Sequence, residues 1–424
     1  MSNKLFYFFL IGLIGFQIYS RMFGHIFGKI IELLDDITFV ALYVFTIFLI
    51  FRINVFKGKT YLLILMSFIM LILFSSILNS VPFDIVLLQT RSYILFCIMY
   101  FFILNSSLTN YQIMKIVQWT VIFTIPVAMS SWYEYLFHTT LLITEDRYGK
   151  ELIQENIFRT FTLIGNPIDY ANFIIIVVAI LMAATISKYP LFSKKYLFLL
   201  LIFFSLTLFF ANSRGPILAI LMAIVLLTIW FRLIKLKYFL IIIFITFGII
   251  TFMGDTLLSR LGQLSPENMS EDGYRMLFLF KSFEVFADNP FFGVGPGRFG
   301  GWVSINYSTS PVYDIYNFST DKISSIDMFW PHLLGELGLI GFIIYLMLYV
   351  IPFVQFTRVN HAFIHSQESF FVALVIKLII IELLMIGFFS ISLETQLIQS
   401  VYFIILGLCV KYFDNLKLSK VNTC

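Results

Sequence analysis

Charge is what this chain has least of. Only 12% of its 424 residues are Asp, Glu, Lys or Arg, against roughly 25% in an ordinary soluble domain. That excludes a conventional soluble enzyme. With 60% hydrophobic residues and a mean hydropathy of +0.94, the chain reads as an all-α polytopic membrane protein. Cysteine is scarce as well. Cys97, Cys409 and Cys424 are too few and too scattered for a disulfide framework or a thiolate metal site. No composition break sets off a soluble domain, so residues 1–424 form one integral membrane domain. No internal repeat stands out, which weighs against a transporter built from inverted repeats. The net charge of +4 is small for the length, and nothing in its distribution points to nucleic acid.

What the chain does have is apolar runs. About 20 such residues cross a bilayer. Runs at 5–20, 37–51, 61–78, 85–104, 113–137, 164–187, 196–211, 215–231, 237–254, 333–354, 370–389 and 394–412 predict about twelve transmembrane helices. The first apolar run follows Lys4 without an obvious cleavage site, so it is read as a retained helix. Basic residues set the orientation. With the N-terminus inside, Lys4, Arg52, Lys57, Lys59, Lys115, Lys188, Lys194, Lys195, Arg232, Lys235, Lys237, Arg358, Lys411, Lys417 and Lys420 all fall on the inner side. Most acids, among them Glu32, Asp35, Asp36, Glu145, Asp146, Glu151 and Glu155, fall outside. Both termini are then cytoplasmic.

Between the ninth and tenth runs stands the polar interval 255–331, expected to be an extracytoplasmic loop. It carries Arg275, the run Asn289-Pro290-Phe291-Phe292-Gly293-Val294-Gly295-Pro296-Gly297, then Arg298. Loops of this kind hold function on a rigid scaffold. At 100° per residue, 273–288 predicts an amphipathic helix with Lys281, Glu284 and Asp288 on one face and Arg275 on the other. Read as a lid, the interval would bend at its Gly-Pro turn, 293–297.

A handful of polar residues sit where a positive-inside bias would not put them. Arg214, in Asn212-Ser213-Arg214-Gly215-Pro216, occupies a very short connection at the start of a helix, where N–H groups favour anions. Arg159 leads into Gly165-Asn166-Pro167-Ile168-Asp169. Arg91 lies within the fourth run. His332 opens the tenth run with Glu336 one turn on. Each has a plainer reading: snorkelling for Arg214, a frayed helix start for Arg275, pairing with Glu151 or Glu155 for Arg159, a local hydrogen bond for His332. Together they fit one chemistry. Guanidinium binds phosphate oxygens bidentately, and histidine is a natural general base. A phosphate tethered to a lipid lies at that depth. The set fits displacement at a carbon bonded to such a phosphate, with no nucleotide cofactor.

At these residues the chain resembles the O-antigen ligase and polymerase superfamily of bacterial envelopes. The pieces are Gly165-Asn166-Pro167, Asn212-Ser213-Arg214-Gly215, Arg275 followed by Asp288 to Gly297, and His332 with Glu336-Leu337-Gly338-Leu339-Ile340-Gly341. The resemblance covers roughly 155–345. Where the family often has Asn after the histidine, Leu333 stands here. The resemblance implies a GT-C-like, inverting, metal-independent membrane glycosyltransferase. Its donor would be an undecaprenyl-diphosphate-linked oligosaccharide, and its site would face the periplasmic or outer side. By carry-over, Arg214 and Arg275 bind the diphosphate and His332 activates the acceptor hydroxyl. Arg159 and Arg91 are further diphosphate candidates. Arg298, Asn166, Asp169 and Glu336 are candidate substrate contacts. Membrane lipid, and a chain-length regulator for a polymerase, are the remaining expected partners.

The Gly-Asn-Pro entry and the Gly-Val-Gly-Pro-Gly turn favour polymerase over ligase. A metal-dependent enzyme of the same architecture would use first-loop acids, for which Asp35 and Asp36 are the candidates. A lipid-linked oligosaccharide transporter, or flippase, would use mid-membrane charges such as Arg91, Lys377 and Glu382. Trp302, Tyr307, Tyr313, Tyr316 and Trp330 are available to stack on sugars or to anchor at the interface.

Overall fold

The structure is a computed structural model describing residues 3–28, 44, 57–142, 153–154, 157–231, 271–306, 311–316, 328–363 and 366–421. Its helices follow the apolar runs. They are α1 (Asn3–Phe27), α2 (Lys59–Leu78), α3 (Phe83–Ile94), α4 (Cys97–Leu104), α5 (Asn110–Phe137), α6 (Pro167–Ser187), α7 (Lys194–Phe210) and α8 (Arg214–Phe231). Then come α9 (Glu271–Asp288), the short α10 (Gly301–Asn306) and α11 (Pro311–Ile315), α12 (Phe329–Phe363), α13 (Gln367–Ile386) and α14 (Gln396–Val421). A two-residue antiparallel pair, Ile153–Gln154 with Ile157–Phe158, precedes α6. Among the described residues six helices are long and apolar enough to cross a membrane: α2, α5, α6, the Phe329–Gln355 part of α12, α13, and Gln396–Lys417 of α14. Counting α3 and α4 as one broken span gives up to seven. The expected spans 37–51 (but for Val44) and 237–254, and the acids Asp35 and Asp36, lie outside the described residues.

The centre of the bundle is α6, α13 and α14. Over 80% of the apolar window of each is buried inside the protein, against 39% for α2 and for α12. A helix apolar all round belongs in the interior, whereas α2 shows Leu63, Met70 and Ile77 to the outside. Local chemistry sets the helix starts. Asn166 caps α6, its side-chain oxygen accepting from Ile168 N (2.8 Å) and Asp169 N (3.1 Å), with Pro167 at the first helical position. Thr109 and Gln112 form a reciprocal capping box on α5.

The fourth run is not one straight span. It breaks between α3 and α4 with a 49° bend. Carbonyls freed at such a break need a donor inside the bundle. Gln399 of α14 supplies it, its amide donating to Ser92 O (2.6 Å) and Tyr93 O (3.5 Å). The break turns the polar face of α3 toward the middle of the fold.

Within 255–331 the structure describes 271–306, 311–316 and 328–331. The helix expected at 273–288 forms as α9, with Leu277, Phe280 and Phe283 exposed alongside Glu284. Phe278, Ser282 and Val285 are buried, while Lys281 and Glu284 pair at 2.7 Å on the outer face. Phe278 and Val285 join Val294, Phe299, Val312, Tyr313 and Tyr316 in a small apolar core of their own. The Gly-Pro turn does not act as a free bend. Val294 N and Gly295 N donate to the carbonyls of Gly335 and Glu336, and Leu339 N and Ile340 N donate back to Pro290 O and Phe291 O. This exchange is possible because α12 is broken at Gly338 (φ 64°, ψ −168°). Ser75 and Asn79, at the end of α2, hold the same turn through Phe292 O (2.7 Å) and Gly293 O (3.2 Å). The turn is therefore clamped between α2 and α12.

One buried carboxylate fixes the entry to α6. Glu134 of α5 accepts from the backbone N–H groups of Phe161 (2.7 Å), Thr162 (2.8 Å) and Leu141 (3.0 Å). Losing a buried acceptor costs about 1–3 kcal/mol per stranded donor. Glu134→Ala should therefore lower the thermal unfolding temperature of the detergent-solubilised protein markedly. Glu134→Gln, which keeps one oxygen, should lower it less.

Candidate active site

His332 is completely buried, near the start of α12. Its Nδ1 hydrogen-bonds Phe299 O. Its Nε2 lies 2.7 Å from Glu394 Oε1, 3.0 Å from Tyr93 Oη and 3.4 Å from Gln89 Nε2. Glu336, one turn along α12, approaches Nδ1 at 3.8 Å. It accepts from Tyr93 Oη (2.9 Å) and from Phe299 N (3.0 Å). Gln89 also donates to Glu394 Oε1 at 2.9 Å. An imidazole thus sits between two carboxylates, with a phenol and an amide closing the ring of contacts.

Each member arrives by a separate route. Gln89 and Tyr93 are four apart on α3 and share a face. His332 and Glu336 share a face of α12 in the same way. Phe299 comes from the strip after the clamped Gly-Pro turn, and stacks on Phe278 of α9 with centroids 4.9 Å apart. Glu394 ends a 3-10 turn, Ser392–Glu394, between α13 and α14.

Gly300 and Gly301 cover the histidine. Both have positive φ (75° and 68°). A Cβ at Gly301 would stand 2.8 Å from His332 Cε1, 2.9 Å from Nε2 and 3.1 Å from Glu394 Oε2. Tyr313 holds this turn, accepting from Gly300 N (2.8 Å) and sharing a hydrogen bond with Ser304 (2.7 Å); burial pushes its phenol up to about 12. Gly301→Ala adds both the overlap and a left-handed backbone cost of about 1–2 kcal/mol. It should lower the unfolding temperature and cut turnover at least tenfold, read in parallel by thermal unfolding and a product assay.

The connection 387–395 joins this centre to the second polar group. Asn172 donates to Ser390 Oγ (3.0 Å) and Ser392 Oγ (2.7 Å), and Ser392 donates to Asp169 (3.0 Å). Gly215, next to Arg214, packs so closely on Phe389 that a Cβ would come within 2.8 Å of it. Arg159 Nε points at Ala211 O (3.4 Å), and Thr160 N donates to Phe210 O (3.1 Å), three and four residues before Arg214. Asp169 and the start of α8 therefore flank one connection, whose last turn delivers Glu394 to His332, and Arg159 bonds the backbone just before α8. Arg214 opens α8, beside the N–H groups of its first turn.

The other expected residues fall elsewhere. Arg275 is on α9, with its side chain outside the description. Arg91 lies between Gln89 and Tyr93 in sequence and so on the opposite face of α3. Arg298 donates to Ser80 O at 3.0 Å, beyond the end of α2, and partial burial lowers its pKa. The Asn166 side-chain oxygen is committed to its cap, and Glu336 is wholly buried. Of the aromatic residues, Tyr313, Tyr316 and Trp330 are buried, Trp302 is half exposed, and Tyr307 lies outside the described residues. Their buried hydroxyl and indole groups bond inward: Tyr316 to Asp288 (2.9 Å) and Trp330 to Leu384 O (2.7 Å). Sugar stacking by these two is thereby corrected to packing. Gln89, Tyr93 and Glu394 were not singled out by sequence. Among the described residues no group of three or more His, Cys, Asp or Glu is arranged to hold a metal ion.

Residues 198–346 match the family model described as O-Antigen ligase. That match supports a place for the chain in the O-antigen ligase/polymerase superfamily. The matched segment contains Arg214, Arg275, Phe299, His332 and Glu336. Gln89, Tyr93, Asp169 and Glu394 lie outside it, so the chain completes the histidine centre with residues from its two flanks. No curated protein matches the chain. The superfamily supports surface-polysaccharide chemistry in a multi-pass membrane protein, with lipid-linked oligosaccharide as the substrate class.

Proposed function

We propose that this chain is a surface polysaccharide polymerase. It moves a glycan from undecaprenyl diphosphate to a hydroxyl of a lipid-linked repeat unit, with inversion and without a metal. The observation that carries the reading is the family match, which spans Arg214, Arg275 and His332 together. The geometry around His332 supports it. A buried cluster of one imidazole and two carboxylates supplies groups suited to proton transfer. Arg214 at the start of α8, with Arg275 on α9, would bind the diphosphate and stabilise the charge that develops as it leaves. Arg159 would position Arg214 through the backbone just before α8, and Asp169 through the connection that flanks it. The centre would lie on the periplasmic face, with both termini cytoplasmic, in a GT-C-like fold.

The deciding experiment is reconstitution of the purified chain in liposomes with its lipid-linked repeat unit, alone and then with lipid A-core. A ladder of lengthened products from the repeat unit alone establishes the polymerase. Product only when lipid A-core is present makes the chain a ligase. Movement of intact repeat units between leaflets with no new glycosidic bond makes it a transporter.

A further inference from the structure

His332 is poorly placed to meet a substrate. It is fully buried, and both ring nitrogens are engaged: Nδ1 by Phe299 O, Nε2 by Glu394 and Tyr93. Gly300 and Gly301 lie directly over the ring. Glu394 differs. Its Oε1 is held by His332 Nε2 (2.7 Å) and Gln89 Nε2 (2.9 Å), whereas its Oε2 is buried with no hydrogen-bond partner. A buried carboxylate oxygen without a donor is costly; Gln89 Oε1 in the same cluster also lacks a partner, but it is a neutral amide oxygen on α3, whereas the unmet carboxylate oxygen asks for a ligand. Glu394 also stands two residues from Ser392, which binds Asp169 and Asn172 beside the Arg214 helix. No other oxygen of the histidine centre lacks a partner while belonging to the connection that reaches the arginine group.

We infer that Glu394, through its Oε2, is the general base that meets the acceptor hydroxyl, and that His332 is the positioning residue that holds Glu394 by its Oε1. This rests on the glycosyl-transfer reading above. As the acceptor oxygen attacks the sugar carbon bonded to the diphosphate, its proton passes to Glu394 Oε2. The new carbon–oxygen bond forms as the carbon–oxygen bond to the diphosphate breaks. The electron pair leaves with the diphosphate, which departs on its lipid, neutralised by the arginines. The proton on Glu394 then goes to the departing diphosphate or to water, restoring the carboxylate. Asp169, Asn172, Ser390 and Ser392 keep the turn that carries Glu394 in register with Arg214. In the structure, Gly301 closes over this oxygen, so the acceptor must displace that turn to reach it.

The test compares Glu394→Gln with His332→Gln in liposomes containing the purified lipid-linked repeat unit. The Glu394 variant keeps size and hydrogen bonding but cannot accept a proton, and should lose at least about a thousandfold in turnover. The His332 variant keeps a donor to Glu394 Oε1 and should stay within about thirtyfold of the wild-type chain, with the loss in kcat rather than KM. Donor binding, measured by tryptophan fluorescence titration with the same lipid-linked unit, should be unchanged in both. If the His332 variant does not fold, His332→Asn takes its place, judged by the same ratio. A His332 variant as inactive as the Glu394 variant, or a Glu394→Gln chain within tenfold of wild type, overturns the assignment. A wild-type chain that makes no new glycosidic bond, with lipid A-core present or absent, instead removes the glycosyl-transfer reading on which it rests.

Discussion

His332→Ala should lower turnover by about 10²- to 10⁴-fold, the range set by loss of a general acid–base group or its direct support, while the chain still inserts and folds. In free energy this is about 3–5 kcal/mol of transition-state stabilisation. The loss has two sources. The alanine removes the donor that holds Glu394 Oε1, and it leaves Glu336 and Glu394 facing an empty space where an imidazole stood between them. Two carboxylates cannot both stay ionised across a buried gap, so one takes a proton. Both sources are reduced in a glutamine replacement, whose amide still donates and fills part of the space. Measured with a lipid-linked repeat unit, the alanine variant should be by far the slower of the two. Equal rates for alanine and wild type would remove His332 from the reaction altogether.

Arg214→Ala should be comparably damaging, about 10²- to 10³-fold in turnover, as for loss of one preorganised donor to a developing oxyanion. Arg214→Lys should recover only part, because an ammonium cannot form the bidentate pair a guanidinium makes with phosphate. The contrast with His332 lies in the salt and substrate dependence. Weakened diphosphate binding raises KM for the lipid-linked donor in addition to the loss in kcat, whereas changes at His332 act on kcat alone. Arg275→Ala belongs with Arg214 in this scheme, and the double variant should be little worse than the more damaging single one if both grip one diphosphate. Full additivity would mean that the two arginines serve different groups.

Much of the architecture was readable before any coordinates. Runs such as 61–78, 113–137 and 370–389 became α2, α5 and α13 within a few residues at either end, because a bilayer demands long apolar helices with internally satisfied backbones. His332 with Glu336 was legible for a similar reason, since spacing of four on a helix guarantees proximity. The rest of the centre was not. Glu394 lies 62 residues beyond His332, and Tyr93 lies 239 residues before it. Nothing in local pattern reports a contact of that separation. Glu394 was further disguised by its position at the predicted start of the last span, where a carboxylate reads as an ordinary interfacial residue. The bend between α3 and α4 was hidden because hydropathy through 85–104 is continuous and the amide that satisfies the broken backbone belongs to Gln399. In the Gly-Pro turn, glycine content was legible and its purpose was misread. Gly293 and Gly338 permit close backbone exchange between the turn and a broken helix.

That exchange and the glycine pair over His332 bear on how such an enzyme conserves its donor. A polyprenyl diphosphate carrying a glycan is an activated compound surrounded on one side by an effectively unlimited supply of water. A base open to solvent would activate water as readily as a sugar hydroxyl and waste the glycan by hydrolysis. Here Gly301 covers the proton acceptor and Gly300 the imidazole beside it, and the strip carrying them is anchored at Gly293–Gly295 to the backbone of α12. A small molecule gains too little from binding to lift an anchored strip, whereas an extended glycan acceptor can contribute contacts along its length. Chain growth over futile hydrolysis would then be decided by the stiffness of a backbone clamp, before any sugar is recognised.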